Sequence, residues 1–328
     1  MLLNDKIYGK IEITEPIVLE LLKTPQMQRM KKIHQYGIFY YFHPTEDTTR
    51  FEHSLGVYLI LKKFGAGIEE QLSGLLHDIS HGVFSHVIDH LYGSTGEEDY
   101  QDSIHSTYFQ NNEISAILNK HGFDPARISD LEMWSLMDNE LPKICADRLQ
   151  YTLGDAVTIG KISQAKAKSF VDSLIVKDNQ LIFQNKEVAK EFAYLSLWMC
   201  QVFWHDNWGL YSFRWIATIM KNALKRSILD KNDIVSDDDS VIRKLEECDD
   251  KNIREEMHKL KSFRKEKVCE SKSDYDFLVK ESKMRVIDPF VVDGNKLVRV
   301  SELYPEFKNE FEKEKERVSR PRYLKLKD

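Results

Sequence analysis

Four short strings put ionisable side chains where an apolar helical pattern would otherwise continue. They are His53 in RFEHSLGV, His77 and Asp78 in GLLHDISHGVFSH, His105 in DSIHSTYF, and Asp147 in CADRLQYTLGDA. Burying one imidazole among leucines requires a partner, and burying several suggests that they share one. Two imidazoles and two carboxylates suit a divalent transition metal, because imidazole binds Mn, Fe, Ni, Co or Zn while carboxylate keeps the site hard. On a continuous helix the adjacent His77 and Asp78 diverge by about 100°. They would therefore hold an ion from its flank, with His53 and Asp147 arriving from other helices. Such a ring leaves positions open for water and a phosphate oxygen, as hydrolytic metal catalysis requires. A single histidine on an apolar helix face is most often a packed residue, so the weight rests on the whole string.

The elements that must position these residues read as mostly helical. Apolar spacing predicts helices within 17–36, 52–64, 68–79, 84–92, 102–120 and 130–159, with a loop over 37–50. Residues 187–226 form a long aromatic-rich helical region, broken near Asn207–Gly209. The charged segment 231–282 keeps helical periodicity, with Ser236 as an N-cap before Asp237, Asp238 and Asp239. Residues 181–185 resemble half of a hairpin, and 284–300 two strands around an Asp293-Gly294 turn. The last twenty residues read as a charged helix and a solvated basic tail that includes Arg317, Arg320, Arg322, Lys325 and Lys327. The expected class is mainly α with a small β hairpin or sheet. A catalytic core is expected over 1–225, and a helical C-terminal lobe with short strands over 226–328.

The bulk numbers narrow the partners. The chain has 328 residues with 47 Lys plus Arg against 53 Asp plus Glu, a formal charge of −6. That argues against a surface that traps nucleic acid everywhere, and leaves room for a local basic pocket. Four cysteines without a close pair suit a reducing compartment. No apolar run approaches the roughly 20 residues of a membrane span, and the first sixteen residues lack a signal-peptide core. A cytoplasmic location without membrane association is the expectation.

The strings TPQMQRMKKIHQYG (24–37), TRFEHSLGVYL (49–59), GLLHDISHGVFSHVID (74–89) and DRLQYTLGD (147–155) resemble the HD-domain phosphohydrolases. More narrowly they resemble the dNTP triphosphohydrolase branch, which holds the bacterial dGTPases and the human SAM-and-HD-domain protein. The resemblance implies an HD-domain helical core. Metal ligands would be His53, His77, Asp78 and Asp147, around one divalent ion (Mn, Fe, Ni, Mg or Zn). Catalytic histidines would be His81, His86 and His105, with Asp89 as the acid behind His105. Spacing agrees, since His77 and His81 are i and i+4 and His86 and Asp89 are i and i+3. Arg50 would contact phosphate, Gln35 a sugar hydroxyl, and Tyr151 and Asp155 the deoxyribose. The implied activity is cleavage of a (d)NTP to nucleoside and triphosphate. The alternatives are an HD-type phosphodiesterase or single-strand nuclease, and a nucleotide-binding regulatory module that has lost its chemistry. A nucleotide is the expected partner and a homo-oligomer the expected assembly, with nucleic acid ranked behind.

Three departures from the branch bear on substrate. Gly154 stands where an arginine precedes the second Asp, and Ser106 where a glutamate follows the histidine. In FAYLSLWMCQVFWHDNWGLYSFRW (192–215), an expected phosphate-clamping arginine is replaced by Leu195 or Ser196. His205 and Arg214 remain as substitutes.

Overall fold

A computed structural model describes residues 1–41, 47–92, 100–280 and 282–327. The chain is mainly α-helical, with three small sheets among the described residues. Helices Arg50–Lys63 and Ala146–Thr158 form the centre. The first is apolar on two sides. Val57, Ile60 and Leu61 join one hydrophobic cluster, which also takes Leu149 and Leu153 of the second helix. Phe51, Leu55 and Tyr58 join another, built with Leu72, Leu75 and Leu76 of helix Ile68–Leu76. A helix buried on both sides tolerates a polar residue only where something specific receives it.

Thr49 starts this helix with a capping box. Its hydroxyl accepts from the Glu52 amide at 3.2 Å, and Glu52 accepts from the Thr49 amide at 2.8 Å. That puts Arg50 in the first turn, pointing at the same centre as His53. The start of helix Ala146–Thr158 is fixed differently. Buried Glu70 accepts from the amides of Leu136 and Met137, whose carbonyls receive the amides of Ala146 and Asp147. Asp147 thus lies in a helix first turn, where a negative charge is favoured. The two helices cross at Gly56. A Cβ there would lie 2.6 Å from Gln150 Nε2, so only glycine lets Gln150 reach His53.

Helix Ile68–Leu76 stops one residue before His77, and residues 77–80 form turns. The expected helical face shared by His77 and His81 is therefore absent. The region 17–36 breaks into helices Pro16–Leu21 and Pro25–Arg29 with a 3-10 turn, and 130–159 is helical as α only from Ala146. Asp237 rather than Ser236 caps helix Asp238–Glu247. Within 231–282 the helices end at Ser262, and strands Val268–Glu270 and Phe277–Val279 follow.

The four-stranded sheet has the order Leu174–Lys177, Gln180–Phe183, Phe290–Asp293, Lys296–Arg299. Both expected hairpins are in it, joined through a parallel bridge of Phe183 to Val291. The basic tail is not solvated along its length. Arg322–Leu326 is the central strand between Val268–Glu270 and Phe277–Val279. Among the described residues no helix is long and apolar enough to cross a membrane.

Candidate metal centre

His53 Nε2, His77 Nε2 and an Asp147 oxygen lie within 4.8 Å of one another. His53 Nε2 is 3.2 Å from His77 Nε2 and 3.0 Å from Asp147 Oδ1, and His77 Nε2 is 3.6 Å from that oxygen. Asp78 closes the ring, with Oδ2 3.6 Å from His53 Nε2 and Oδ1 3.4 Å from His77 Nε2. Donors bound at about 2.1 Å sit about 3.0 Å apart on an octahedral edge and about 3.4 Å apart on a tetrahedral one. The spacing of His53, His77 and Asp147 therefore fits one ion, with Asp78 beside them as the fourth candidate.

Tautomers support the same conclusion. His77 Nδ1 bonds the Gly74 carbonyl at 2.8 Å, and His53 Nδ1 bonds Gln150 Oε1. A ring nitrogen donating to a carbonyl leaves its Nε2 as a lone pair. Two lone pairs and two carboxylates then face one another, an arrangement that needs a cation between them. Without an ion, a proton takes that part. Burial would lower the His77 pKa, but Asp78 and Asp147 raise it to about 9. Against the burial that would raise it, Asp147 is held well below the usual carboxylate range by His53 and His77. Asp78 is held low in the same way by Arg50 and the histidines. Metal binding would displace that proton.

Arg50 is built into this centre. Its Nη1 donates to Asp78 Oδ2 at 2.8 Å and its Nε to Ser85 Oγ at 2.9 Å. Ser85 and Phe84 hold left-handed backbone, with φ of 52° and 56°. Non-glycine residues adopt that region at a cost, which is often accepted at functional sites. The turn brings the Ser85 hydroxyl to Arg50 and to the His34 carbonyl.

The expected proton handlers lie along one side. His81 is 1 % exposed, and its Nε2 is 3.3 Å from Asp78 Oδ1 without hydrogen-bond geometry. Burial and the Arg50 charge lower its pKa to about 3. The His81 and His86 rings meet edge to face at 5.3 Å. His86 Nδ1 is 3.2 Å from Asp89 Oδ2, and Asp89 also accepts from the Tyr100 amide. Asp89 therefore backs His86 and not His105. His105 Nδ1 instead meets the Ser80 hydroxyl at 3.2 Å, and its buried Nε2 has no partner. Burial, with His77 nearby, lowers the His105 pKa to about 4.

The expected substrate contacts divide. Gln35 Oε1 is buried and unpartnered, available to a ligand. Tyr151 packs edge to face on Trp204 at 5.1 Å. Both oxygens of Asp155 are already used, one accepting from Tyr36 Oη and the other from Trp204 Nε1, each at 2.8 Å. Burial raises the Asp155 pKa to about 6. Leu195 and Met199 are buried and apolar on helix Lys186–Met199, so this helix face carries no phosphate clamp. Arg214 lies beside His90, with a buried, unpartnered Nε. His43 falls outside the described residues.

His205 belongs to a second cluster of donor types, with Cys200 and Glu314. Glu314 is taken by Arg317 through two bonds of 2.7 Å. Burial pushes the Cys200 thiol up to about 12, and burial with the charges of Arg285, Arg322 and Arg317 lowers His205 to about 3. Three guanidinium groups around an imidazole oppose a cation. Sequence reasoning missed Gln150, Ser85 and Tyr36. Gln150 alone left a trace, standing one helical turn from Asp147.

The model of the HD domain matches residues 50–149, a span that encloses all four residues of the ring. Over its whole length the chain resembles the uncharacterized protein YdhJ of Bacillus subtilis, at 33% identity over 330 residues, 99% of each chain. It is also 38% identical over 174 residues to the metal-dependent phosphohydrolase cns2 of Cordyceps militaris, which is 53% of this chain and 50% of that one. The chain belongs to the HD-domain phosphohydrolases. Within that family it resembles the human deoxynucleoside triphosphate triphosphohydrolase SAMHD1, at 40% identity over 102 residues, 26% of this chain and 16% of that protein. As an HD-domain phosphohydrolase it uses a divalent metal, and the His and Asp cluster fits one.

Proposed function

We propose that this HD-domain phosphohydrolase acts on nucleotides and releases triphosphate from a (d)NTP. The observation that carries the reading is the order of residues on helix Ala146–Thr158. Asp147 sits at the metal ring, and Tyr151 and Asp155 follow on the next two turns beside Tyr36 and Trp204. One helix would then position a phosphate at the ring and a sugar against Tyr151.

His53, His77, Asp78 and Asp147 would hold the ion, which supplies Lewis acidity at a phosphoryl oxygen and a more acidic water. Arg50 holds Asp78 in place and keeps one guanidinium nitrogen for phosphate. Water adds to the α-phosphorus and the bond to the sugar oxygen breaks. His86, oriented by Asp89 and the more exposed of the proposed catalytic histidines, gives the leaving oxygen its proton. His81 and His105, neutral near pH 7, orient the attacking water by hydrogen bonding, and its proton passes to solvent. All these residues lie in the proposed 1–225 core. Manganese is the first metal to test, and a cytoplasmic homo-oligomer is the proposed setting.

The apolar face of Leu195 and Met199 favours a second reading, hydrolysis of a nucleotide with fewer phosphates. A panel of dNTPs, NTPs, monophosphates and short oligonucleotides with Mn²⁺, resolved by chromatography, separates the two. Released triphosphate supports the first reading, and orthophosphate alone supports the second. Cleaved oligonucleotides with intact free nucleotides would refute both. His77→Ala should abolish metal binding and turnover together, and turnover without metal would refute the mechanism.

A further inference from the structure

The left-handed turn at Phe84 and Ser85 is held from outside the proposed core. Asp238, the first residue of helix Asp238–Glu247, is fully buried. Its Oδ1 accepts from the Phe84 amide at 2.7 Å and its Oδ2 from the His34 amide at 2.9 Å. The same stretch of chain grips the turn at two more points. The Val83 amide donates to the Ile234 carbonyl at 3.0 Å. Arg29 donates to the carbonyl of Ser236 at 3.2 Å and to that of Ile79, the neighbour of Asp78, at 2.8 Å. The contact is close, since a Cβ on Gly82 would lie 2.7 Å from the Ile234 carbonyl oxygen. The turn in turn supports the site. Ser85 Oγ accepts from Arg50 Nε and donates to the carbonyl of His34, the residue whose amide Asp238 also holds. Arg50 donates onward to Asp78. His86 follows Ser85 directly, with Nδ1 on Asp89. Left-handed backbone at non-glycine residues is costly and persists only where the surroundings enforce it. A buried carboxylate with two amide donors supplies that enforcement through charge-assisted bonds, and its loss would orphan both amides together.

We infer that Asp238 is a positioning residue of the metal centre: it ties the Phe84 turn to the His34 segment, and through Ser85 it fixes the Arg50 guanidinium where a phosphate meets the metal ring. The inference rests on the proposed role of Arg50 towards phosphate and adds the residue that keeps Arg50 in place. Asp238 acts through Ser85 and Arg50, not on the phosphate itself. It belongs to residues 226–328, so the segment that follows the proposed core takes part in building the site.

The test is a double-mutant cycle on the full Mn²⁺-loaded chain. It compares Asp238→Asn, Ser85→Ala and the double variant by calorimetric titration with inorganic orthophosphate. Measurements are made at pH 8, above the value of about 7 to which burial raises Asp238. Asparagine keeps one acceptor and turns an amino group towards the other amide. Each single variant should weaken orthophosphate about three- to tenfold, the range for one lost hydrogen bond. The double variant should fall within about twofold of the weaker single, because both changes break the same line of contacts. Independent effects would instead multiply, to about ten- to a hundredfold. Mn²⁺ content should stay as in wild type. With a nucleotide that the wild type turns over, kcat/KM should show the same non-additivity. An aspartate that only stabilises the fold would lower the melting temperature of Asp238→Asn and leave orthophosphate affinity within about twofold of wild type, and that result overturns the inference. So do losses that multiply, or a wild type that binds no orthophosphate. If Asp238→Asn melts below the assay temperature, Gly82→Ala takes its place in the cycle, its new methyl pushing the Ile234 segment off the same turn. A wild type that binds orthophosphate but hydrolyses no nucleotide defeats the nucleotide reading instead, and the orthophosphate cycle still decides Asp238.

Discussion

Gln150 offers a sharp test of the metal centre, because it reaches the ring through His53. Its side chain is 1 % exposed, and its Oε1 receives His53 Nδ1. Replacing it with leucine keeps a similar volume and removes the acceptor. The His53 Nδ1–H then stays buried without a partner, at about 1–3 kcal/mol. The ring also becomes free to move its proton to Nε2, which would close the lone pair meant for the ion. Outer partners of metal-bound histidines are worth about ten- to a hundredfold in affinity. That is about 1.4–2.7 kcal/mol, in line with the cost of the orphaned donor. Gln150→Leu should therefore weaken Mn²⁺ by that factor, read by competition with a chelator dye, while the fold survives. Gln150→Glu, whose carboxylate still accepts from Nδ1, should keep the affinity. Gly56→Ala should imitate the leucine variant, since its new methyl would lie 2.6 Å from Gln150 Nε2. Metal affinity within twofold of wild type in Gln150→Leu would refute the claim that this bond sets the His53 tautomer.

Two further outcomes follow from groups away from the ring. Burial raises the pKa of Asp238 from 3.8 to about 7, against the charge of His34 and the amides of Phe84 and His34. A raised carboxyl contributes stability below its unfolded value and loses it as pH climbs through the folded one. Relative to Asp238→Asn, wild type should lose about 2–3 kcal/mol between pH 5 and pH 8; a difference constant across that range in denaturant melts would contradict it. Arg322 is 4 % exposed and donates to the His205 carbonyl at 2.7 Å and to Ser282 Oγ at 3.0 Å. Arg322→Ala should cost about 2–4 kcal/mol in urea unfolding, whereas a solvated tail residue would stay within about 0.5 kcal/mol.

The gathering of His53, His77, Asp78 and Asp147 was legible because these residue types break an apolar pattern, and such interruptions need a common physical cause. Helix boundaries were less legible. The periodicity of 68–79 continues through His77, but the chain turns there and spends His77 Nδ1 on the Gly74 carbonyl. The i, i+4 relation of His77 and His81 was therefore geometrically empty, although both still reach Asp78. The pairing of His86 with Asp89 was readable as i, i+3. The Ser80 contact of His105 was not, since it joins positions 25 residues apart. Ser85 stayed hidden for a related reason, and Gln150 showed only its place one helical turn from Asp147. Their roles come from a helix crossing at Gly56 and from two left-handed residues, neither of which leaves a periodic trace. The tail was misread because charge suggests solvent, and its alternation became meaningful only with two partner strands in place.

The central position of Arg322–Leu326 has a consequence for biogenesis. A ribosome delivers both outer strands of that sheet before the middle one, since Arg322–Leu326 follows both of them in the sequence. Until it arrives, Val268–Glu270 and Phe277–Val279 lack their strand partner, and the His205 carbonyl lacks Arg322. Chains fold vectorially as they emerge, so the metal ring can gather early while the wall behind Trp204 waits for completion. Interrupted translation would then yield a metal-competent but open-sided chain, with unpaired strand edges for proteases and chaperones to recognise.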